Sequence, residues 1–405
     1  MNDQSTKIRL LAFGALGLCV LLGGCLGPWG IRKNRPQYNE AIKLTSEQEL
    51  LLNLVRLRYD EVPFFLSLDS VASQMALTPE AGFEGEADSG KVRYFGKGNL
   101  SFEDRPTVTY TPQDNADFVQ SLLTPVDIEN LALLARLGWD NERVFRLIIK
   151  QMNGVENAVL AGGPVPESVP VYAEFHEIAR LLSELRDRNF TDVAVIEQPS
   201  VVATARGVEK PSGDQIVRAA ESSLSIDATG NAVQVTQPDR QLMATLNPQT
   251  IMTPEIQQFC EMLRLRPGLP EYRIVSSSSG HFDAINSLEG IDEIRVSTRA
   301  PLEIMFYLSK GVVVPGEHLE CGLAASTANY DGTPYNWHDI VGDLICIQVC
   351  DKKPEARLAV KYRDHWFYID DRDQVSKRTL FMLIAIMDVS RVEGRGEKPV
   401  LTLPL

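Results

Sequence analysis

Apolar residues recur at the spacing of an amphipathic helix in several stretches of the chain. Between residues 50 and 55, four leucine or valine residues share one helical face. This predicts a helix that starts at a capping box of Ser46 and Glu49 and ends near Tyr59. The next helices are predicted from Thr-Pro or Asp at their N-termini and from Gly where they end. These cover residues 124–138, 140–153, 174–188, 301–311 and 376–389, with another that begins at Thr253.

Other stretches alternate apolar and polar residues, as strands with one buried face do. Such strands are predicted at 63–71, 91–103, 105–112 and 293–299, in much of 192–247, and in a hairpin over 356–371 with Arg363 and Asp364 at its tip. Helices and short strands follow one another without βαβ repetition. We therefore expect an α+β fold with mainly antiparallel strands, not a doubly wound sheet.

The length of the chain allows two domains. We expect a mostly helical part with strands at 38–190 and an α+β part at 191–405, although one large domain fits the same pattern. Ahead of them, residues 26–37 mix glycine, proline and positive charge with little periodicity. They predict a tether that spans at most ~40 Å when extended.

The N-terminus has the layout of a secretory signal peptide. Lys7 and Arg9 precede an apolar run over residues 10–22, and Cys25 follows two glycines. The run is shorter than the ~20 residues that a membrane-spanning helix needs. Leu22 to Cys25, LGGC, resembles the lipobox of bacterial lipoproteins. The alternative is an ordinary cleaved signal followed by a chance cysteine.

The lipobox resemblance implies removal of residues 1–24 and attachment of lipid to Cys25, which then carries several acyl chains such as palmitate. Several chains anchor stably where one exchanges. Residue 26 is leucine. In many such lipoproteins an aspartate there directs retention at the inner membrane, so the resemblance implies an outer-membrane lipoprotein that faces the periplasm.

The chain is acidic, with a formal net charge of −14. Loss of the signal peptide, which carries one net positive charge, makes the mature chain more acidic still. Nucleic-acid binding depends on neutralising phosphates with lysine and arginine, so this balance argues against a nucleic-acid partner. It also argues against electrostatic adhesion to anionic lipid. Attachment to the membrane must then depend on Cys25.

Cys260, Cys321, Cys346 and Cys350 remain beyond the anchor. Cys346 and Cys350 lie in an alternating strand pattern, about 13 Å apart at ~3.3 Å per residue, too far for a mutual disulfide. A bridge from Cys321 to either of them is one alternative, but we expect buried free thiols.

Motifs that could carry catalysis are weak, and we assign no catalytic, cofactor-binding or metal-binding residue. Residues 85–92 match G-x-x-x-x-G-K, but acidic residues inside the segment and Val92 in place of Ser or Thr favour an acidic turn. Asp370, Asp371 and Asp373 precede the last helix and predict capping rather than a cation site. A nucleophile elbow G-x-S-x-G is missing.

The five histidines do not form a known zinc motif. A zinc site at Glu317, His318, Glu320 and Cys321, with Cys346 nearby, is an alternative that we do not adopt.

One loop, residues 327–339, has the composition of a recognition surface. Tyr330, Tyr335 and Trp337 stand there among asparagine, aspartate, glycine and proline, which suits a sugar ring or a peptide. The alternative is that these aromatic residues pack back onto the body of the protein.

The stretches LLLNLVRLRY, RPTVTYTP and FYIDDRD make the mature chain resemble uncharacterised bacterial outer-membrane lipoproteins. We expect a non-catalytic envelope lipoprotein that binds a protein or glycan partner. The alternative is a lipid-anchored hydrolase acting on cell-wall or envelope polymers.

Overall fold

The structure is a computed structural model that describes residues 26–88, 91–206, 225–229, 232–277 and 291–392. For residues 26–35, 72–106, 197–240 and 391–392 it describes the backbone alone. The expected signal peptide, residues 1–24, and the expected lipidation site Cys25 lie outside the described residues.

The helices of the described chain are separated by strands without a repeating order. They are α1 Leu26–Arg58, α2 Ala116–Leu123, α3 Ile128–Arg136, α4 Asn141–Ile148, α5 Ala173–Asp187, α6 Pro254–Met262, α7 Pro301–Ser309, α8 Gly316–Glu320, α9 His338–Val341 and α10 Gln374–Val392.

The strands form three separate sheets in the described residues. They are β1 Leu66–Asp88, β2 Lys91–Pro112, β3 Ile149–Met152, β4 Val155–Glu156, β5 Thr191–Arg206, β6 Ser225–Thr229, β7 Ala232–Leu246, β8 Glu271–Ser276, β9 Glu293–Thr298, β10 Gln348–Cys350, β11 Leu358–Tyr362 and β12 His365–Ile369. Strands β1 and β2 form a long hairpin, and β10, β12 and β11 form a second sheet in that order. The third sheet has the order β4-β3-β9-β8-β7-β5, with β6 also paired to β7.

This arrangement confirms the predicted α+β fold. The strand pairs are antiparallel except β8 with β9, which is parallel. The expectation of short strands is wrong for two long antiparallel pairs, β1 with β2 and β5 with β7, whose strands have 15 to 23 residues. The separate strands predicted at 91–103 and 105–112 are one strand, β2.

Contacts divide the chain into two compact units. One contains the described residues of 1–53 and 63–114, and the other contains 54–62 and the described residues from 115 onwards. The boundary expected near residue 190 falls inside the second unit, because β3 and β5 on either side of it belong to one sheet.

Helix α1 begins earlier than the sequence pattern predicts. It starts at Leu26, so the stretch expected to be an extended tether is helical, about 18 Å long instead of ~40 Å. The predicted capping box at Ser46 is also wrong. Its hydroxyl bonds back to the carbonyl of Ile42 at 3.0 Å, as serine does in the interior of a helix. The apolar face over residues 50–55 is confirmed as buried.

Two helix boundaries in the middle of the chain also differ from prediction. Thr124 ends α2 instead of starting a helix, because its backbone N–H and its hydroxyl both bond to the carbonyl of Gln120. Asp127 caps α3 with its carboxylate. Helix α4 gives way at Ile149 to strand β3, where a helix to Asn153 was predicted; β-branched residues at 148–149 suit that change.

Predictions near the C-terminus hold well. The tip of the β11–β12 hairpin is at Arg363 and Asp364, both with positive φ. Asp373 caps α10 by accepting from the backbone N–H of Ser376 at 2.9 Å. The apolar segment predicted to be buried is a helix with Met382 and Leu383 fully buried, although Phe381 is exposed and contacts Trp139.

A buried arginine joins several of these elements in the second unit. Arg299 lies between β9 and α7 and is completely buried. Its guanidinium donates to the carbonyls of Arg146, Leu147 and Ile149 at 2.8 to 3.2 Å, and also to the carbonyl of Asn157. The first two are last-turn carbonyls of α4, which no backbone N–H of the helix can reach. Arg299 therefore caps α4 and fixes its junction with β3.

We predict that Arg299→Met lowers the free energy of unfolding by about 3 kcal/mol. The side-chain amide of Asn157 also donates to two of the four carbonyls that accept from Arg299, so the substitution leaves the other two without this donor. Each buried carbonyl left without a donor costs ~1 to 3 kcal/mol, and removal of a buried charge offsets part of this. Urea denaturation measures the change. The control is Arg273→Met, which removes a half-exposed partner of Glu293 and should cost less than ~1 kcal/mol. Equal losses in the two variants would contradict the role given to Arg299.

Candidate functional site

The anchoring residue of the sequence analysis is not among the residues that the structure describes. Cys25 immediately precedes α1 in the chain. No helix of the described chain combines the length and apolarity needed to cross a membrane.

The loop with recognition-like composition is partly folded onto the protein. Trp337 is buried at 7% exposure, and its ring contacts Tyr335 edge-on with centroids 5.4 Å apart. Tyr330 is fully exposed. The loop turns at Asp331, whose carboxylate accepts from the backbone N–H of Thr333 at 3.0 Å. Of the three candidate binding residues, two therefore anchor the loop and one projects from it.

A buried lysine lies beneath this loop. Lys310 is 3% exposed, its Nζ donates to the carbonyl of Gly163 at 2.9 Å, and it lies 5.9 Å from the ring centroid of Trp337. Burial lowers the pKa of Lys310 to about 7, because the charged form loses its hydration. The lysine therefore titrates near neutral pH in the folded protein.

We predict that Lys310 makes stability depend on pH. Its pKa is about 7 when folded and about 10.5 when unfolded, so between these values only the unfolded state holds the proton and stability rises with pH. From about pH 7.5 to 9.5, the unfolding free energy of the wild type should rise by about 2 kcal/mol more than that of Lys310→Met. Denaturant titrations at each pH provide the measurement.

The control for this experiment is Lys361→Met, which changes an exposed lysine on the β11–β12 hairpin. It should follow the wild-type pH profile. Parallel profiles for the wild type and Lys310→Met would show that the lysine is charged throughout.

Cys260, Cys321, Cys346 and Cys350 are free thiols, as expected, but only Cys260 of these four is buried. Cys346 and Cys350 are half-buried, and Cys321 is exposed with its thiol directed to the carbonyl of Glu317 at 2.8 Å. The glycine-lysine segment at residues 85–92 spans the tip of the β1–β2 hairpin, and residues 89–90 lie outside the described chain. Asp370 accepts from the backbone N–H of Arg372 and Asp371 from that of Arg357, so of the three aspartates predicted to cap the last helix only Asp373 does so.

Two histidines and two carboxylates come together where α8 meets the β11–β12 hairpin. The Nε2 atom of His365 lies 2.8 Å from Oε1 of Glu317, and its Nδ1 lies 3.1 Å from Oδ1 of Asp351. The ring of His318 is 4.9 Å from that of His365, edge to face. Of the zinc alternative named above, the structure brings Glu317 and His318 into this cluster, which we call the histidine cluster.

His365 is the member of the cluster that sequence reasoning missed. It is the first residue of β12 and lies 48 positions from Glu317. Nothing in the local pattern around it differs from an ordinary hairpin strand. Glu320 and Cys321, which were part of the zinc alternative, are not in the group that could hold an ion.

Aromatic residues form the floor of the histidine cluster. The hydroxyl of Tyr59, just after α1, is 2.7 Å from Nδ1 of the buried His318. The Tyr59 ring also contacts Tyr362 and the fully buried Phe367 of the hairpin. Burial raises the pKa of Tyr59 to about 12, so the phenol stays protonated and neutral. The floor therefore presents uncharged aromatic side chains to one face of the cluster.

A separate cavity of about 60 Å³ lies between helices α3 to α6 and the seven-stranded sheet. Its lining is apolar except for Arg186, Thr191 and Asp192. The two charged residues form a loose ion pair of 4.0 Å. This cavity suits an apolar group and does not gather the acid and base side chains that hydrolysis needs.

The base of the β1–β2 hairpin, in the first unit, has one apolar face. The register pairs Leu66 with Pro112, Leu68 with Tyr110 and Val71 with Val108. Directly opposed residues share a face of the sheet. Leu66, Val108 and Tyr110 are 39 to 48% exposed. We call the six residues of these pairs the apolar hairpin face.

Comparison with known proteins gives no relative: no family model, no curated protein and no solved structure matches the chain.

Proposed function

We propose that the chain is a lipid-anchored, non-catalytic protein of the bacterial cell envelope that binds a partner protein. Lipid on Cys25 holds it at the outer membrane, facing the periplasm, and the apolar hairpin face binds the partner. The lipobox supports the anchor. The observation that carries the binding proposal is the exposure of the apolar hairpin face.

The apolar hairpin face has the properties of a surface that is buried against another protein. A two-stranded hairpin is marginally stable in water unless its apolar face packs against something. The opposite face carries Ser67, Thr109 and Thr111, which suit water. Exposed apolar rows of this kind are typical of protein-binding surfaces.

The composition of the face favours a protein over a glycan. Sugar rings are bound by aromatic faces beside hydrogen-bonding groups. This face has one aromatic residue, Tyr110, and its remaining side chains offer aliphatic surface. Tyr330 is exposed on the loop of residues 327–339 in the second unit, and it is the residue of that loop that could contact a glycan or a peptide.

The alternative, a lipid-anchored hydrolase of envelope polymers, receives less support. Such an enzyme needs a cleft in which titratable groups converge on a substrate. The cavity between the helices and the sheet is apolar, and the carboxylates of the histidine cluster are at the surface.

We predict that Cys25→Ser abolishes acylation and releases the protein from the outer membrane, because the thiol is the site of lipid attachment. A palmitate analogue detected on the purified protein, together with membrane fractionation, measures both effects. The matched control is Cys19→Ser, in the apolar run that precedes Cys25, which should be acylated like the wild type. Continued labelling of Cys25→Ser would refute the lipoprotein assignment.

We predict that a photoactivatable amino acid at position 108 crosslinks a partner protein in intact cells. The control carries the same group at position 109, next along the strand and on the opposite face. Val108→Asp should reduce recovery of the crosslinked partner at least tenfold when the probe is placed at position 110, whereas Thr109→Asp should not. Equal adducts at 108 and 109, or none at either, would contradict binding through this face.

A further inference from the structure

The histidine cluster brings together more side chains than a surface ion pair does. In the described part of the chain, Glu317, His318 and His365 form a group whose ligand atoms, one from each residue, all lie within 4.8 Å of one another. Two imidazoles and a carboxylate are donors that zinc and similar divalent ions prefer.

The partners of the two histidines suit metal ligands. Nδ1 of His365 is bonded to the carboxylate of Asp351, and Nδ1 of His318 is bonded to the hydroxyl of Tyr59. Metal-binding histidines usually donate one ring N–H to an oxygen acceptor in this way, which directs the other nitrogen to the ion. This arrangement leaves Nε2 of each histidine to face an ion; in His365 that nitrogen now contacts Oε1 of Glu317, and an ion would lie between the two atoms.

We infer that Glu317, His318 and His365 bind a divalent transition-metal ion, with zinc as the best fit. Zinc bonds of ~2.0 to 2.2 Å place neighbouring ligand atoms about 3.3 Å apart. The 2.8 Å pair of Glu317 and His365 would open slightly, and the wider pairs, at up to 4.8 Å, would close. Three protein ligands leave a fourth position for water or for a donor from a bound molecule. The exposure of Glu317 keeps that position accessible from solvent.

The competing explanation is a bridge without metal. A protonated His365 between Glu317 and Asp351 would satisfy the two short contacts. It would not explain why the ring of the buried His318 also lies edge-on to that of His365, with the centroids 4.9 Å apart. The inference concerns the second unit and does not depend on the proposed function.

Zinc titration of the full chain, purified without a histidine tag, tests the inference. Competition with a chromophoric chelator gives the affinity, and visible absorption of the cobalt form reports its geometry. Glu317→Gln and His365→Gln should each lower zinc affinity at least ~100-fold. Asp351→Asn, which removes an outer partner, should lower it by ~10- to 100-fold.

The matched controls make the same Glu→Gln and His→Gln substitutions outside the histidine cluster. Glu320→Gln lies on the same helix, and His338→Gln changes an exposed histidine of α9; both should bind zinc like the wild type. Cys321→Ser should also bind normally, since its thiol is outside the group. Zinc should raise the unfolding temperature of the wild type and of these controls, and not that of Glu317→Gln.

Three results would overturn the inference. One is equal zinc affinity in the wild type, Glu317→Gln and His365→Gln. Another is loss of binding in Cys321→Ser alone, which would assign the ion to the thiol. The third is a six-coordinate cobalt spectrum, which would mean that the ion remains hydrated outside the cluster.

Discussion

The second unit depends on one constraint, the buried guanidinium of Arg299. A helix that ends inside a protein must find donors for its last carbonyls, because no water reaches them. Here α4 passes directly into β3 at Ile149, so no exposed turn separates the two elements. Arg299 supplies several donors from one planar group and reaches both sides of the junction. A lysine could not do this, since its three donors radiate from one atom.

Other polar groups are organised around the same arginine. Tyr307 of α7 lies under the Arg299 guanidinium at 4.2 Å and provides a cation–π contact. Arg146 of α4 pairs with Asp343, just after α9, with Nη2 2.7 Å from Oδ1. Burial and the two arginines lower the pKa of His176 to about 4, so this histidine adds no further charge. The polar groups around Arg299 therefore also hold the C-terminal end of α9, the helix that begins at the end of the loop of residues 327–339.

The two candidate surfaces use different physical means. The apolar hairpin face, in the first unit, offers area, and a partner would gain by removing it from water. The histidine cluster, in the second unit, offers directed donors, and its selectivity would come from ligand type and spacing. The loop of residues 327–339 is less suited to binding than these two surfaces, because Trp337 is buried beside Lys310 and holds the loop to the protein.

Sequence alone determined the features that depend on neighbours along the chain. The α+β class, the capping by Asp373, the hairpin tip at Arg363 and the buried last helix all follow from periodicity and turn chemistry, which act over a few residues. The same local reasoning failed at residues 26–37, where composition indicated a tether and the chain is helical. Glycine and proline lower helix propensity, but propensity is a weak prior.

Tertiary structure decided everything that depends on distant partners. His365 meets Glu317 across 48 positions, and Tyr59 meets His318 across 259. Arg299 is an ordinary residue in the sequence and becomes a helix cap only because folding brings α4 to it. Hydrogen bonds and metal ligands act over about 3 Å in space, whatever the separation along the chain. Such groupings leave no periodic signal, so only the folded chain reveals them.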